Sequence, residues 1–545
     1  MSSKKEKKRE KRDRSRPVGD PQSAAPYEVS ERTLWILTGM LVVVYFIFSF
    51  ISKGFYQDDE IAHYDTAYMF WKDPFSILTY WSRPGFKILF VIPALLGIKY
   101  VHFVGAVIGA ATAYFTSLLA RQYGLRNRIL VLVLCGFQPL FYQISFRTYA
   151  EILGACLLTL MILSYEKKQY IWVAVISSYL FAVRQEFVFL SLIVGALFLL
   201  QKRWIPFLLL AWMPVLLGVI GWLKTGNLFW LTEVFLAGGK NPGFFKPGFF
   251  QYFKAFAPIF GTVVAGLFLV GFFGLSGNRF RVKEALGRYH ALYITFVVLF
   301  LANSVLASDL FNISAGQGVW RYILPVSPLV ALFALIGFNR IWGGDESERR
   351  RAYVLIFLWT LLVVALFSHK HNYYGFLEAT DYLGFYALLG LIGLMVLGRS
   401  PGIGTRTVVI ATALLTIVYA VQSEPPLPVS EENLTIQTAV EWWRTNGFED
   451  RPVAANHIMF FYYAGIHDRD STMHPGLTLR AIREAKPGSV ILWDSHYSFR
   501  PEYGTDAPFD SVRSNPSLRF LRQFVSSNQR FGLVAFEKLP TPSSH

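Results

Sequence analysis

LWILTGMLVVVYFIFSFIS, Leu34 to Ser52, carries no charge and is followed shortly by QDDEIAHY, Gln57 to Tyr64. An uninterrupted apolar stretch of roughly 17–25 residues is what a helix needs to cross a hydrocarbon core. Three consecutive carboxylates just beyond it mark an abrupt return to water. Comparable apolar runs recur almost to Gln422, separated by short polar turns. Of the 545 residues, 53% are hydrophobic, 17% aromatic and 16% charged, and mean hydropathy is +0.38. Soluble domains carry about 25% charged residues, so the composition agrees with the runs. A formal net charge of +16 would suit a polyanion-binding protein, but it sits in short turns and an N-terminal arm. That distribution describes membrane topology and excludes a nucleic-acid face.

The arm, MSSKKEKKREKRDRSRP, has nine Lys and Arg against three acids and no apolar h-region before Leu34. It is expected to be a disordered cytoplasmic segment over residues 1–33 rather than a cleaved signal. Basic turns at Arg121, Arg126 and Arg128, at Lys167 and Lys168, at Lys202 and Arg203, at Arg279 to Arg288, at Arg349 to Arg351, and at Arg399 and Arg406 fall on one side. The slightly acidic loop 53–87 falls on the other. The positive-inside bias then gives a transmembrane region over 34–422 of about thirteen helices, with the N-terminus inside and the C-terminus outside. Two stretches are irregular: Phe86 to Ile98, short enough to be re-entrant or interfacial, and the run from Ile129 that ends between Tyr142 and Arg147. Glycines at 261, 266, 271 and 274 read as helix-packing positions. Cys135 and Cys156 both lie in apolar runs, which argues against a disulfide or a zinc site built on them.

Beyond Gln422 the periodicity changes. SEPPLPVSEEN reads as a linker with Ser430 as an N-cap, followed by an amphipathic helix to about Asn446 and a short strand near Pro452 to Asn456. A helix from about Leu477 to Ala485, the strand SVILWDS and the hairpin-like FVSSNQRFGLVAFEKL complete the pattern. Residues 423–545 therefore form a soluble α/β domain on the extracytoplasmic side.

The chemistry-bearing residues cluster at the outer helix ends. Asp58, Asp59 and Glu60 crowd three carboxylates beside the membrane, where neighbouring acids push one another's pKa values apart, as general acid–base work requires. Arg83 stands at the edge of the next apolar stretch in YWSRPGF. Arg147, Arg184, Lys240, Lys246, Arg321 and His369-Lys370-His371 occupy other outer ends, several with an acid nearby, as Arg147 with Glu151 and Arg184 with Glu186. Singly, each serves as a snorkelling anchor; as a set they suit a lipid phosphate. Asp494-Ser495-His496 lacks the Gly-x-Ser-x-Gly elbow of a hydrolase and reads as a strand end in a loop that faces acceptor or is structural. Asn312 and Asn433 begin glycosylation sequons on the outer side.

These features resemble the GT-C superfamily of polyprenyl-phosphate-sugar glycosyltransferases. Asp59-Glu60 with Tyr64 resembles its Asp-Glu motif. TYWSRPG, Thr79 to Gly85, resembles the segment in which a basic residue meets the lipid phosphate. VWRYILPVSP, Val319 to Pro328, resembles a segment of dolichyl-phosphate-mannose-dependent mannosyltransferases, but Gln317-Gly318-Val319 stands where those enzymes have His-Lys-Glu, which leaves the sugar open. The resemblance implies a GT-C-type helical membrane fold and an inverting hexosyltransferase, with mannose one candidate sugar. It implies a polyprenyl-phosphate-linked donor and a glycan or glycolipid acceptor. The setting would be a bacterial inner membrane, where the product is a cell-envelope glycan, or the endoplasmic reticulum of a eukaryote.

Asp59 is the expected general base, with Asp58 the alternative and Glu60 beside them. Arg83, Arg321, His369, Lys370 and His371 would hold the phosphate, and Tyr64, Arg147 and Arg184 would support the site. A monophosphate leaving group carries less charge than a pyrophosphate, so no cofactor or metal is expected to be obligatory, although adjacent acids offer the oxygen ligands that magnesium or manganese would use. The rival reading, a transporter or flippase for a lipid-linked glycan, calls for acids in the middle of spans, and the clear spans largely lack them.

Overall fold

Ser30 caps the first span as a hydroxyl accepting from the Thr33 amide, and the helix runs Glu31–Ile51, satisfying one of the donors every helix start leaves open. The computed structural model describes residues 27–78, 83–237, 247–273, 282–308, 318–344, 346–367, 382–398, 400, 403–467, 472–501 and 504–540. Among these, six helices are long and apolar enough to cross a membrane: Glu31–Ile51, Ile98–Gln122, Trp204–Thr225, Gly287–Leu306, Trp320–Gly343 and Thr405–Ser423. The chain is a multi-pass membrane protein. Shorter apolar helices at Tyr170–Val183, Gln185–Leu200, Thr262–Phe273 and Leu383–Leu397 fill out the bundle, so an apolar run does not translate one for one into a straight crossing.

Both irregular stretches are broken helices. Phe86 to Ile98 contains the end of Pro84–Lys87, then Val91–Leu96, and the long span starts at Ile98. The run from Ile129 stops at Gly136, resumes as Pro139–Ser145, and then meets Ala150–Glu166 at a bend of 108°. Gln138 fills the first break, its amide donating to the Leu134 and Ser327 carbonyls at 2.9 Å each. The second break places Arg147 and Glu151 at the end of the bundle that meets the loop 53–87. Gly271 is the packing position expected: a Cβ there would fall on the carbonyl of Phe333 in the facing helix Ser327–Gly343. Close backbone approach of this kind takes the place of the hydrophobic drive that lipid cannot supply. Gly274 lies outside the described residues.

The C-terminal segment follows its sequence pattern closely. Ser430 caps Glu431–Thr445 by accepting from the Asn433 amide. Strands β1 (Val453–Ala454), β2 (Val490–Asp494), β5 (Leu518–Val525) and β6 (Gly532–Lys538) form one sheet in the order β1-β2-β6-β5; β3 (Phe499–Arg500) and β4 (Thr505–Asp506) pair separately. Strand β1 runs parallel to β2 and the remaining pairs are antiparallel. Alternation divides the sheet: Val490, Leu492, Leu533 and Ala535 pack with Ile436, Trp443 and Phe460, while Ile491, Val534 and Phe536 pack with Leu477, Ile482 and Val512, as a period of two demands. The helix Ile458–Ala464 was not anticipated in the sequence; its run of aromatics hides the short period.

This domain is docked on the loop 53–87. Ile61 belongs to the same buried cluster as Trp443 and Phe460, and Phe55 packs against it. The Gly54 amide donates to the Leu427 carbonyl at 2.9 Å, and a Cβ on Gly54 would run into the Pro428 carbonyl. Only glycine admits the linker this close.

Candidate active site

The acid trio opens the helix Asp59–Met69, with Asp58 at its N-cap position. Successive helical residues point about 100° apart, so three adjacent carboxylates face three different surroundings. Glu60 is fully buried, 2.9 Å from Arg147 Nη1 and 2.9 Å from His102 Nε2. Burial alone would raise its pKa, but Arg147 and His102 hold it below the ordinary carboxylate range. Arg147 also donates to the Gln143 and Gly54 carbonyls and to Ser52 Oγ. The partner of Arg147 is thus Glu60 and not the nearby Glu151, and the pair staples the loop to the bundle.

Asp59 points the other way. Its carboxylate pairs with Arg321, and its side chain keeps 34% of its exposure where Arg321 keeps 2%. Arg321 also lies 3.4 Å from Glu151 through Nε, Arg83 approaches the same Glu151 oxygen at 3.8 Å, and Arg184 pairs with both Glu151 and Glu186. Glu151 is therefore the hub of three guanidiniums, and it is wholly buried. Tyr322 lies beneath them, its ring centre 4.2 Å from the Arg184 guanidinium and 5.4 Å from that of Arg321. Nη1 of Arg83 and Nη1 of Arg321 are buried and lack a hydrogen-bond acceptor among the described residues. Buried N–H donors normally find a partner, so these two groups retain capacity for an anion.

His63, four residues after Asp59, lies on the same helical face. Burial first, and then the charges of Lys87, Arg83, Arg321 and Arg184, press its pKa well below the usual imidazole value, so it is neutral at neutral pH. Lys87 is buried, its pKa pushed down by burial and Arg83 while Asp59 draws it up. Arg83 itself sits in left-handed backbone, φ 51°, a conformation that is rare for a residue with a side chain and clusters at functional sites.

Asp58 faces the C-terminal domain and accepts from the Tyr497 hydroxyl at 2.8 Å. Beside it, Glu432 Oε1 lies 2.6 Å from His457 Nε2 and 2.7 Å from His496 Nδ1. Burial would raise Glu432, but the two imidazoles outweigh it and hold the carboxyl at about 2.

The structure thus brings Asp59, Arg83, Arg184 and Arg321 together and separates Glu60 and Arg147 into a structural staple. Tyr64 is buried against Tyr68, Tyr462 and His467 at the domain junction. His369, Lys370, His371, Lys240 and Lys246 lie outside the described residues. Sequence reasoning missed the central place of Glu151, together with Lys87 and His63. Its usable signal was an acid that opens an otherwise apolar helix, which is costly unless partnered.

No protein-family model and no curated protein matches the sequence. Among solved structures, the chain is similar to ArnT from Cupriavidus metallidurans bound to undecaprenyl phosphate. The TM-score is 0.59 at 12% identity, over 93% of this chain and 98% of that one. The apo state of the same protein gives 0.56 at 12% identity and the same coverage. The chain therefore shares the fold of ArnT.

Proposed function

We propose that this protein is an inverting glycosyltransferase that takes a sugar from a polyprenyl-phosphate donor and passes it to a glycan or glycolipid on the extracytoplasmic side. The observation that carries the reading is the gathering of Arg83, Arg184 and Arg321 around Glu151, with the partly exposed Asp59 at the edge. The buried Nη1 donors of Arg83 and Arg321, left open among the described residues, suit the arrival of one more anion. The fold neighbour's ligand, undecaprenyl phosphate, is an anion of that class.

The acceptor hydroxyl attacks the anomeric carbon as the C–O bond to the lipid phosphate breaks, and its proton passes to Asp59. Attack opposite the leaving group inverts the configuration. The guanidinium donors stabilise the charge that grows on the departing phosphate. Arg321 pairs with Asp59 here; a phosphate drawing on Arg321 would release that carboxylate to receive the proton. Asp58 orients the loop from the domain side.

Arg83→Ala should abolish most transfer from a polyprenyl-phosphate sugar in nanodiscs, with little change in thermal stability, because the buried Nη1 of Arg83 is one of the guanidinium donors in the cluster left open for a charge-assisted bond to phosphate. Arg83→Lys should restore only part, since an ammonium cannot reproduce the bidentate fork. Wild-type rates in the Ala variant would reduce Arg83 to an interfacial anchor. The basic turns support a cytoplasmic N-terminus and an external domain after Gln422. Cysteine-accessibility mapping should label introduced cysteines at positions 3 and 530 from opposite sides, and labelling from one side would overturn the orientation.

A further inference from the structure

We propose that Asp58, Glu432, His457 and His496 form a divalent transition-metal site, with zinc the best-matched ion, that clamps the C-terminal domain onto the outer loop next to Asp59. One ligand atom from each of the four lies within 4.8 Å of every other. The four come from separate segments: the start of the loop helix, the first turn of Glu431–Thr445, the N-cap of Ile458–Ala464, and the turn after β2. Two imidazoles with two carboxylates make the mixed N/O donor set that suits zinc and its neighbours better than magnesium or calcium, which take oxygen alone.

The surroundings support ligation. Tyr497 donates to one oxygen of Asp58 at 2.8 Å, and Asp494 accepts from the His496 and Tyr497 amides at 3.0 and 2.6 Å, fixing the turn that presents His496. Outer partners of this kind orient metal ligands. His457 is almost fully buried and sits against the Tyr497 ring. Tetrahedral bonds of about 2.0–2.2 Å place ligand atoms about 3.3–3.6 Å apart. The Glu432–imidazole contacts at 2.6 and 2.7 Å are closer, so an ion would spread them by less than about 1 Å. The Met459 amide approaches His457 Nδ1 at 3.3 Å, which puts the imidazole proton on Nε2. Metal loading must move that proton and give up this long contact.

The role is positional: the ion would draw Asp58 toward the domain and leave Asp59 facing Arg321. The competing account is a hydrogen-bonded His–Glu–His cluster without an ion. The untagged full-length chain in detergent is stripped with EDTA, dialysed, and titrated with zinc against a chromogenic chelator, with bound metal counted by mass spectrometry. One zinc per chain is expected, and cobalt(II) should give the visible absorption of a four-coordinate site. His496→Gln and Glu432→Gln should each weaken binding at least about tenfold, with Asp58→Asn as a third variant from the other side of the junction. Less than about 0.2 zinc per chain, or unchanged affinity in all three variants, would overturn the proposal. The readout is ion binding, so the result is independent of whether the protein transfers sugar.

Discussion

Asp59→Asn is expected to reduce sugar transfer by about 10²–10⁴-fold, the usual cost of removing a general base, while leaving donor binding intact. Asn has nearly the volume of Asp, so folding should survive, and the lost Arg321 pair lies partly in solvent on the Asp59 side. Asp58→Asn should lose less. Asp58 contacts Tyr497 of the C-terminal domain and not the guanidinium cluster, so its amide would disturb the placement of the loop without deleting the proton acceptor. Rates measured in nanodiscs with saturating donor, beside a donor-binding assay, separate the two roles. Equal and full activity in both variants would remove the catalytic reading of this loop and favour a glycan transporter.

Glu151→Ala should be the most destabilising single change at the site. One buried carboxylate faces Arg83, Arg184 and Arg321, and deleting it leaves like charges confronting one another in a desolvated pocket. Removing one partner of a buried ion pair costs about 3–5 kcal/mol, and three cations share this one. Greatly reduced yield or an early unfolding midpoint in detergent is the expected result. Glu151→Gln, which keeps an acceptor oxygen but not the charge, should fall between. If the Ala variant unfolds within a degree or two of wild type, the three guanidiniums are balanced from elsewhere and Glu151 is not their hub.

The sequence alone determined a good deal. Charge-free runs such as Leu34 to Ser52 specify membrane helices because lipid offers no hydrogen bonds to an unpaired backbone. The alternating pattern of SVILWDS and the hairpin at the end specify strands because only a period of two places one set of side chains on each face. Ser430 marked its helix start, and Asp59, Arg83, Arg184 and Arg321 were visible as charges at the ends of apolar runs. What sequence could not show was which charge meets which. Asp58, Asp59 and Glu60 are neighbours in the chain, yet helical rotation sends Glu60 into the Arg147–His102 staple, Asp59 to Arg321 and Asp58 to Tyr497. Glu151 gained its three guanidiniums from segments far apart in the chain. His457 and His496 reached Asp58 only because the C-terminal domain folds back on the loop 53–87 through Ile61 and the Gly54–Leu427 contact. Local patterns carry periodicity and capping, which act over a few residues. Coulomb pairing across hundreds of residues is decided only when packing brings the partners together.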